Sequence, residues 1–148
     1  MRLAVDADIL VGQLTNYRGQ VLIAHADLEL YITDLAWRET QHELPKRTEA
    51  MVRRGTRTPE EASSLLASAW ETAVHALTVL GSEHYAHEEA QARACIADER
   101  DWPTVALALT LDAGIWTNDR HFFGCGCPTW RTETLRAVLA LRAARPGG

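Results

Sequence analysis

The chain reads as an α/β protein, a short parallel sheet with helices on both faces. Short β-prone runs alternate with helical patterns from one end to the other, which favours parallel strands joined by helical crossovers. One helical stretch, Asp101–Asp112, is apolar on nearly every side and is therefore expected to be buried. At 148 residues, 47% of them hydrophobic, the chain is sized for one compact domain with a real core. Residues 1–144 are read as that domain, and 145–148, closing the RAARPGG run, as a frayed tail. Right-handed crossovers set the C-terminal ends of successive strands along one edge, where ligands of open α/β sheets bind. The order of the strands is not readable from the pattern.

Each element has its own signal. Arg2–Val5 is a short strand, after which Ile9, Leu10, Val11 and Leu14 recur at helical spacing. Leu30–Thr33 is a second β-prone run, and Asp34 is placed to cap the helix that follows. That helix carries Leu35, Trp37, Glu39, His42 and Leu44; Pro45 is expected to kink or break it before it resumes through Met51 and Val52. Gly55 stops it. Thr58-Pro59-Glu60-Glu61 restarts a helix with a capping box, and Leu65, Leu66, Ala69, Trp70 and Val74 continue it. Leu77–Leu80 is a third strand ended by Gly81-Ser82, and the alanine-rich His84–Ala97 is helical. After the buried helix come a fourth strand, Ile115–Thr117, a minimal edge strand, Pro128–Trp130, and a last helix from about Thr132 to Ala143.

Composition narrows the function classes. No apolar run approaches the roughly 20 residues that span a bilayer, and MRLAVDADIL lacks a signal-peptide layout, so no membrane association and a cytoplasmic location are expected. The three cysteines, Cys95, Cys125 and Cys127, are too few and odd in number for an oxidised scaffold, so reduced thiols are expected. A net charge of −5 argues against coating nucleic acid through bulk electrostatics, yet it leaves a nucleic-acid enzyme open, because divalent ions held by acids invert the local field. Lys46, Arg47, Arg53, Arg54 and Arg57 follow one another along one helical segment, either a solvated face or a phosphate track.

The acids are the most informative residues. Asp6 lies just past the first strand and Asp119 just past the fourth; Asp101 opens the buried helix, and Glu39 lies about one and a half turns into the helix after the second strand. Positions scattered over more than a hundred residues thus meet on one sheet edge. Like charges held together repel and persist only when cations or protons neutralise them. Mg²⁺ or Mn²⁺ suits such a set: both prefer oxygen, retain waters and accept substrate phosphates. Each acid also has a plainer role, with Asp6 and Asp101 as helix caps, Asn118-Asp119 as turn chemistry and Glu39 in solvent.

Three segments, VDADIL, WRETQHEL and DWPTVALALTLDAGIWTNDRHFF, resemble PIN-domain proteins, a family of small metal-dependent ribonucleases that includes the VapC-type toxins. The resemblance covers most of the chain and is most specific where an acid, an ALAL helix and a strand ending in T-N-D follow one another. It implies a three-layer α/β/α PIN-like fold, Mg²⁺ or Mn²⁺ held by Asp6, Glu39, Asp101 and Asp119, and RNA phosphodiester hydrolysis leaving a 5′-phosphate. It also implies an antitoxin protein as partner and pairing into a homodimer. Two positions depart from the family pattern. His121 stands where a further acid is common, and Asp8 stands where Asn or Ser is common. Asp8 either restores the lost carboxylate or caps a helix; His121 contacts phosphate, holds a water or is idle. Thr117 and Asn118 are expected to orient the carboxylates, and Arg120 to meet a substrate phosphate or form a surface ion pair.

Other constellations are weaker. His84, His87, Cys125 and Cys127 are zinc-type residues, but C-x-C is tighter than the usual zinc spacing, and a glycine-permitted turn beneath Phe122 and Phe123 is the simpler reading. Trp37, Trp70, Trp102 and Trp116 fall on apolar patterns, leaving Trp130 as a possible surface contact for a base. No Gly-rich phosphate loop is present. Two function classes follow: a divalent-metal-dependent endoribonuclease, as the toxin of a toxin–antitoxin pair, or a catalytically weak PIN fold that binds RNA or protein. Action on DNA flaps is a third possibility.

Overall fold

The computed structural model describes residues 1–145 and 147; of the expected tail, Pro146 and Gly148 lie outside the described residues. Its strands are β1 (Arg2–Val5), β2 (Glu29–Thr33), β3 (Leu77–Leu80), β4 (Gly114–Trp116) and β5 (Thr129–Trp130), all parallel in the order β3-β2-β1-β4-β5. Leu3 sits between Leu30 and Gly114 in the register, which makes β1 the centre of the sheet. The chain builds outward from β1 to β3 and then returns to the other flank of β1. The gap beyond the ends of β1 and β4 is therefore the switch point at which an open α/β sheet forms its crevice.

Side chains alternate across a strand, and the sequence divides accordingly between two cores. Leu3, Val5, Leu30, Ile32 and Trp116 face one side, covered by α1 (Ala7–Leu14), α2 (Tyr17–Ile23), α3 (Asp34–Arg53), α4 (Pro59–Ala76) and α7 (Thr132–Ala143). Ala4 and Ile115 face the other side, covered by α5 (Glu89–Cys95), α6 (Trp102–Leu111), Tyr85 and Phe122. This is the expected three-layer arrangement. Pro103 through Ala108 of α6 are all buried, as a helix without a polar face requires.

Several local expectations need correction. Asp34 is not the cap of α3: Thr33 accepts the Ala36 amide at 3.0 Å, while the Asp34 carboxylate accepts the Tyr85 hydroxyl at 2.8 Å. α3 also runs unbroken through Pro45, held by its packing on α4 and α1 rather than by its backbone ladder alone. The stretch 84–97 is not one helix. Short 3₁₀ turns at Ser82–His84 and Ala86–Glu88 precede α5, because Tyr85 between them turns inward and is buried. α2 escaped the sequence reading; seven residues are too few to display a helical period. The expected capping box at Thr58 and Glu61 is present with both bonds at 3.1 Å.

A polar clamp joins the first helices. Buried Gln20 donates to the carbonyls of Leu14 at 2.9 Å and Leu65 at 3.3 Å and accepts from the Ser68 hydroxyl. Gly19 beside it packs so closely under α1 that a Cβ would lie 2.0 Å from the Gln13 carbonyl oxygen. No helix of the described residues is long and apolar enough to cross a membrane.

Candidate metal centre

The site grows from the ends of the two central strands. Where β1 ends, the Asp6 amide continues the ladder to the Trp116 carbonyl at 3.1 Å, so the Asp6 backbone is fixed by the sheet. Its Oδ2 accepts the hydroxyl of fully buried Thr117 at 3.0 Å. Thr117 Oγ1 in turn accepts the Asp119 amide at 3.0 Å, and Asp119 Oδ1 accepts the His121 amide at 2.9 Å. One threonine hydroxyl thus couples the first and fourth acids.

Asp101 and Glu39 arrive from opposite layers. Asp101 precedes α6 and Glu39 lies on α3, and both line the same open cleft of ≈ 380 Å³ as Asp6, Asp8 and Asp119. The capping alternative fails for Asp6 and Asp101, since neither side chain bonds to the helix it precedes. Asp119 does cap the short turn Arg120–Phe122. Asp8 joins the cleft from the first turn of α1 and also lines a smaller recess with Asp6, Asn118 and Asp119.

Crowding shows in the protonation equilibria. Burial pushes the Asp6 carboxyl up to about 6; the Thr117 bond opposes this, and Asp8, Asp101 and Asp119 add repulsion. Asp101 also rises to about 6, through burial first and then Asp98 and Asp119. Glu39 moves in the same direction, from lost hydration and then from Asp8. These four acids and Asp8 therefore share one field.

The remaining candidates take other places. His121 is exposed, with Nδ1 2.9 Å from Asp119 Oδ1, so it attends the fourth acid rather than replacing a carboxylate. Asn118 turns its Oδ1 toward the Thr132 amide, a long contact of 3.4 Å at the start of α7. Arg120 is exposed and is not among the residues lining the acid cleft. Trp130 is half-buried against the first core, with Gly114 closely beneath it, and is no free stacking surface. Cys125 is buried with Phe122, and the Cys127 thiol is pushed up to about 12 by burial and then by Cys125, as in a reduced structural thiol. Sequence reasoning missed Asp98, Glu99 and Arg100, which form the rim of the cleft beside Asp101. Their signal was the charged run DERD, readable only as a solvated loop until α6 fixes its direction.

Among the described residues, no set of three or more His, Cys, Asp or Glu side chains already surrounds a point where an ion could sit, which also removes the zinc arrangement. The acid cleft nonetheless fits a hard divalent cation by its chemistry: its donors are carboxylate oxygens, several of them short of compensating charge. Mg²⁺ needs only one or two carboxylates, with water and phosphate completing its shell, so a closed cage is not required.

Known proteins share this plan. A family model for the PIN domain matches residues 4–140. The chain belongs to the PIN-domain family. Within this PIN domain the match runs from the second half of β1 through most of α7 and so includes every acid of the cleft. A solved structure, VapBC2 from Rickettsia felis bound to a DNA fragment from their promoter, contains a chain with the same fold: 13% identity, 88% of this chain and 98% of that chain covered, TM-score 0.53. No curated protein matches the chain.

Proposed function

We propose that this PIN domain is a divalent-metal-dependent endoribonuclease acting as the toxin of a toxin–antitoxin pair. The observation that carries the reading is the meeting of Asp6, Glu39, Asp101 and Asp119, from four separate segments, in one cleft at the C-terminal edge of the sheet. Membership of the PIN-domain family supports the nuclease class, and the VapBC2 likeness supports the fold on which the toxin context rests.

Asp6, Glu39, Asp101 and Asp119 are assigned as ligands of Mg²⁺ or Mn²⁺, with Asp8 as a supplementary carboxylate. The ion, when bound, supplies Lewis acidity to the phosphodiester and acidifies water for its hydrolysis. Thr117 holds Asp6 and the Asp119 backbone in register so that neither acid must be reorganised during the reaction. His121 steadies the Asp119 carboxylate from the solvent side. Arg120, exposed next to Asp119, is assigned an outer contact with the RNA backbone. An antitoxin partner, pairing of two copies and a cytoplasmic location belong to the same reading.

The test is cleavage of single-stranded and structured RNA with Mg²⁺ or Mn²⁺, comparing the unaltered chain with Asp119→Asn and with added chelator. Cleavage that survives both would end the metal-nuclease reading. Offering DNA flaps beside RNA separates the substrate classes. The second reading, a weak fold that binds RNA or protein without cutting, draws on two observations: His121 replaces a common acid, and among the described residues no ligand set is gathered in advance. Binding without cleavage under the same conditions selects it.

A further inference from the structure

The acid cleft presents a problem for its own proposed substrate. Its lining carboxylates attract a cation but repel a phosphodiester. Among the twelve residues that line it, Arg100 is the only cationic one. Its backbone is anchored, because its amide donates to Asp98 Oδ1 at 2.8 Å, whereas its guanidinium is held loosely, with Nε 3.5 Å and Nη2 3.4 Å from the same carboxylate. The side chain is 85% exposed. Long, exposed ion pairs contribute little and exchange readily.

We propose that Arg100 is a substrate-binding residue of this site: it leaves Asp98 to grip an RNA phosphate beside the scissile bond with its guanidinium fork. The inference rests on the nuclease reading for the identity of the ligand and on the cleft geometry for the residue. Arginine matches phosphate geometry with two parallel charge-assisted bonds, stronger than the slack contact it gives up. The loop is suited to the exchange. Arg100 lines the same cleft as the carboxylates, so a phosphate held by its guanidinium sits at the rim beside them. Asp98 then acts as a resting partner that keeps the arginine at the rim when RNA is absent.

The experiment measures binding apart from cleavage: a labelled single-stranded oligouridylate is titrated into the full chain with Ca²⁺ replacing Mg²⁺, over a range of salt. Arg100→Gln is expected to weaken binding about tenfold and to flatten the plot of log affinity against log salt by about 0.7, the signature of one lost single-strand phosphate contact. Arg100→Lys retains the charge and loses the fork, so it should keep the salt slope while recovering only part of the affinity. Asp98→Asn, which frees the guanidinium and removes a repelling charge, is expected to tighten binding. Unchanged affinity and slope in Arg100→Gln, or no binding of the oligouridylate by the unaltered chain, would overturn the proposal. If the chain binds with these effects yet cuts no RNA under Mg²⁺, the phosphate contact stands and the nuclease reading alone falls.

Discussion

Single residues carry the chemistry, and they were legible to different degrees. Asp6, Asp101 and Asp119 stand out because each follows or precedes an element whose pattern is clear, and all three reach the cleft. Glu39 carried the weakest signal: its place after the second strand put it near the same edge, and the placement of α3 brings it into the cleft. Arg100 was indistinguishable from the neighbouring charges of DERD because a charged loop has no period from which to read direction. Two substitutions test this scale. Asp119→Asn should reduce RNA cleavage by at least about a hundredfold, the usual order for losing an electrostatic stabiliser, read as initial rate with Mn²⁺. Gly19→Ala should destabilise the fold by more than the 1 kcal/mol or so typical of a point substitution, read by denaturant unfolding, since its methyl would lie 2.0 Å from a backbone carbonyl that cannot move without shifting α1.

Elements show where local chemistry suffices and where it is overruled. The capping box at Thr58 needs only the four residues of its motif, and the structure forms it as read. Thr58→Ala is therefore expected to cost about 1 kcal/mol, measured as a lower midpoint of unfolding. Pro45 shows the opposite. A proline inside a helix lacks one amide donor and crowds the preceding turn, so the sequence points to a break. The structure keeps the helix because Leu44 and Thr48 on either side are buried and pull both halves onto the same core. Pro45→Ala should accordingly raise stability by up to about 3 kcal/mol, seen as an increase in Tm. The turns around Tyr85 were missed from sequence because their geometry follows from a contact elsewhere, the Tyr85–Asp34 bond, whereas α2 is simply too short to show a period.

At the scale of the molecule, the acid cleft sets a dependence on pH and on metal. Asp6 and Asp101 titrate near 6 in the folded chain against an ordinary 3.8. Folding thus takes up protons between those values, so the two groups favour the fold most at acid pH, and that contribution is lost as pH rises from about 4 through about 6. For buried Asp6 the effect is at most about 3 kcal/mol; Asp101, more open to water, contributes less. With chelator present, the Tm contribution of these groups should fall from pH 5 to pH 8, and Mn²⁺ should raise Tm far more at pH 8 than at pH 5. A Tm insensitive to Mn²⁺ at pH 8 would count against ion binding in this cleft.

The sequence alone determined the class of fold, the buried character of α6, the capping box and the candidate acids, since all of these depend on local pattern: hydrophobic period, capping residues and turn chemistry act over a few positions. Tertiary structure alone decided the strand order with β1 central, the survival of α3 across Pro45, the joining of Asp6 to Asp119 through Thr117 and the place of Arg100 at the rim. Those features bring together residues as far apart as 6 and 119, and no local pattern encodes which distant surfaces bury each other at the lowest free energy.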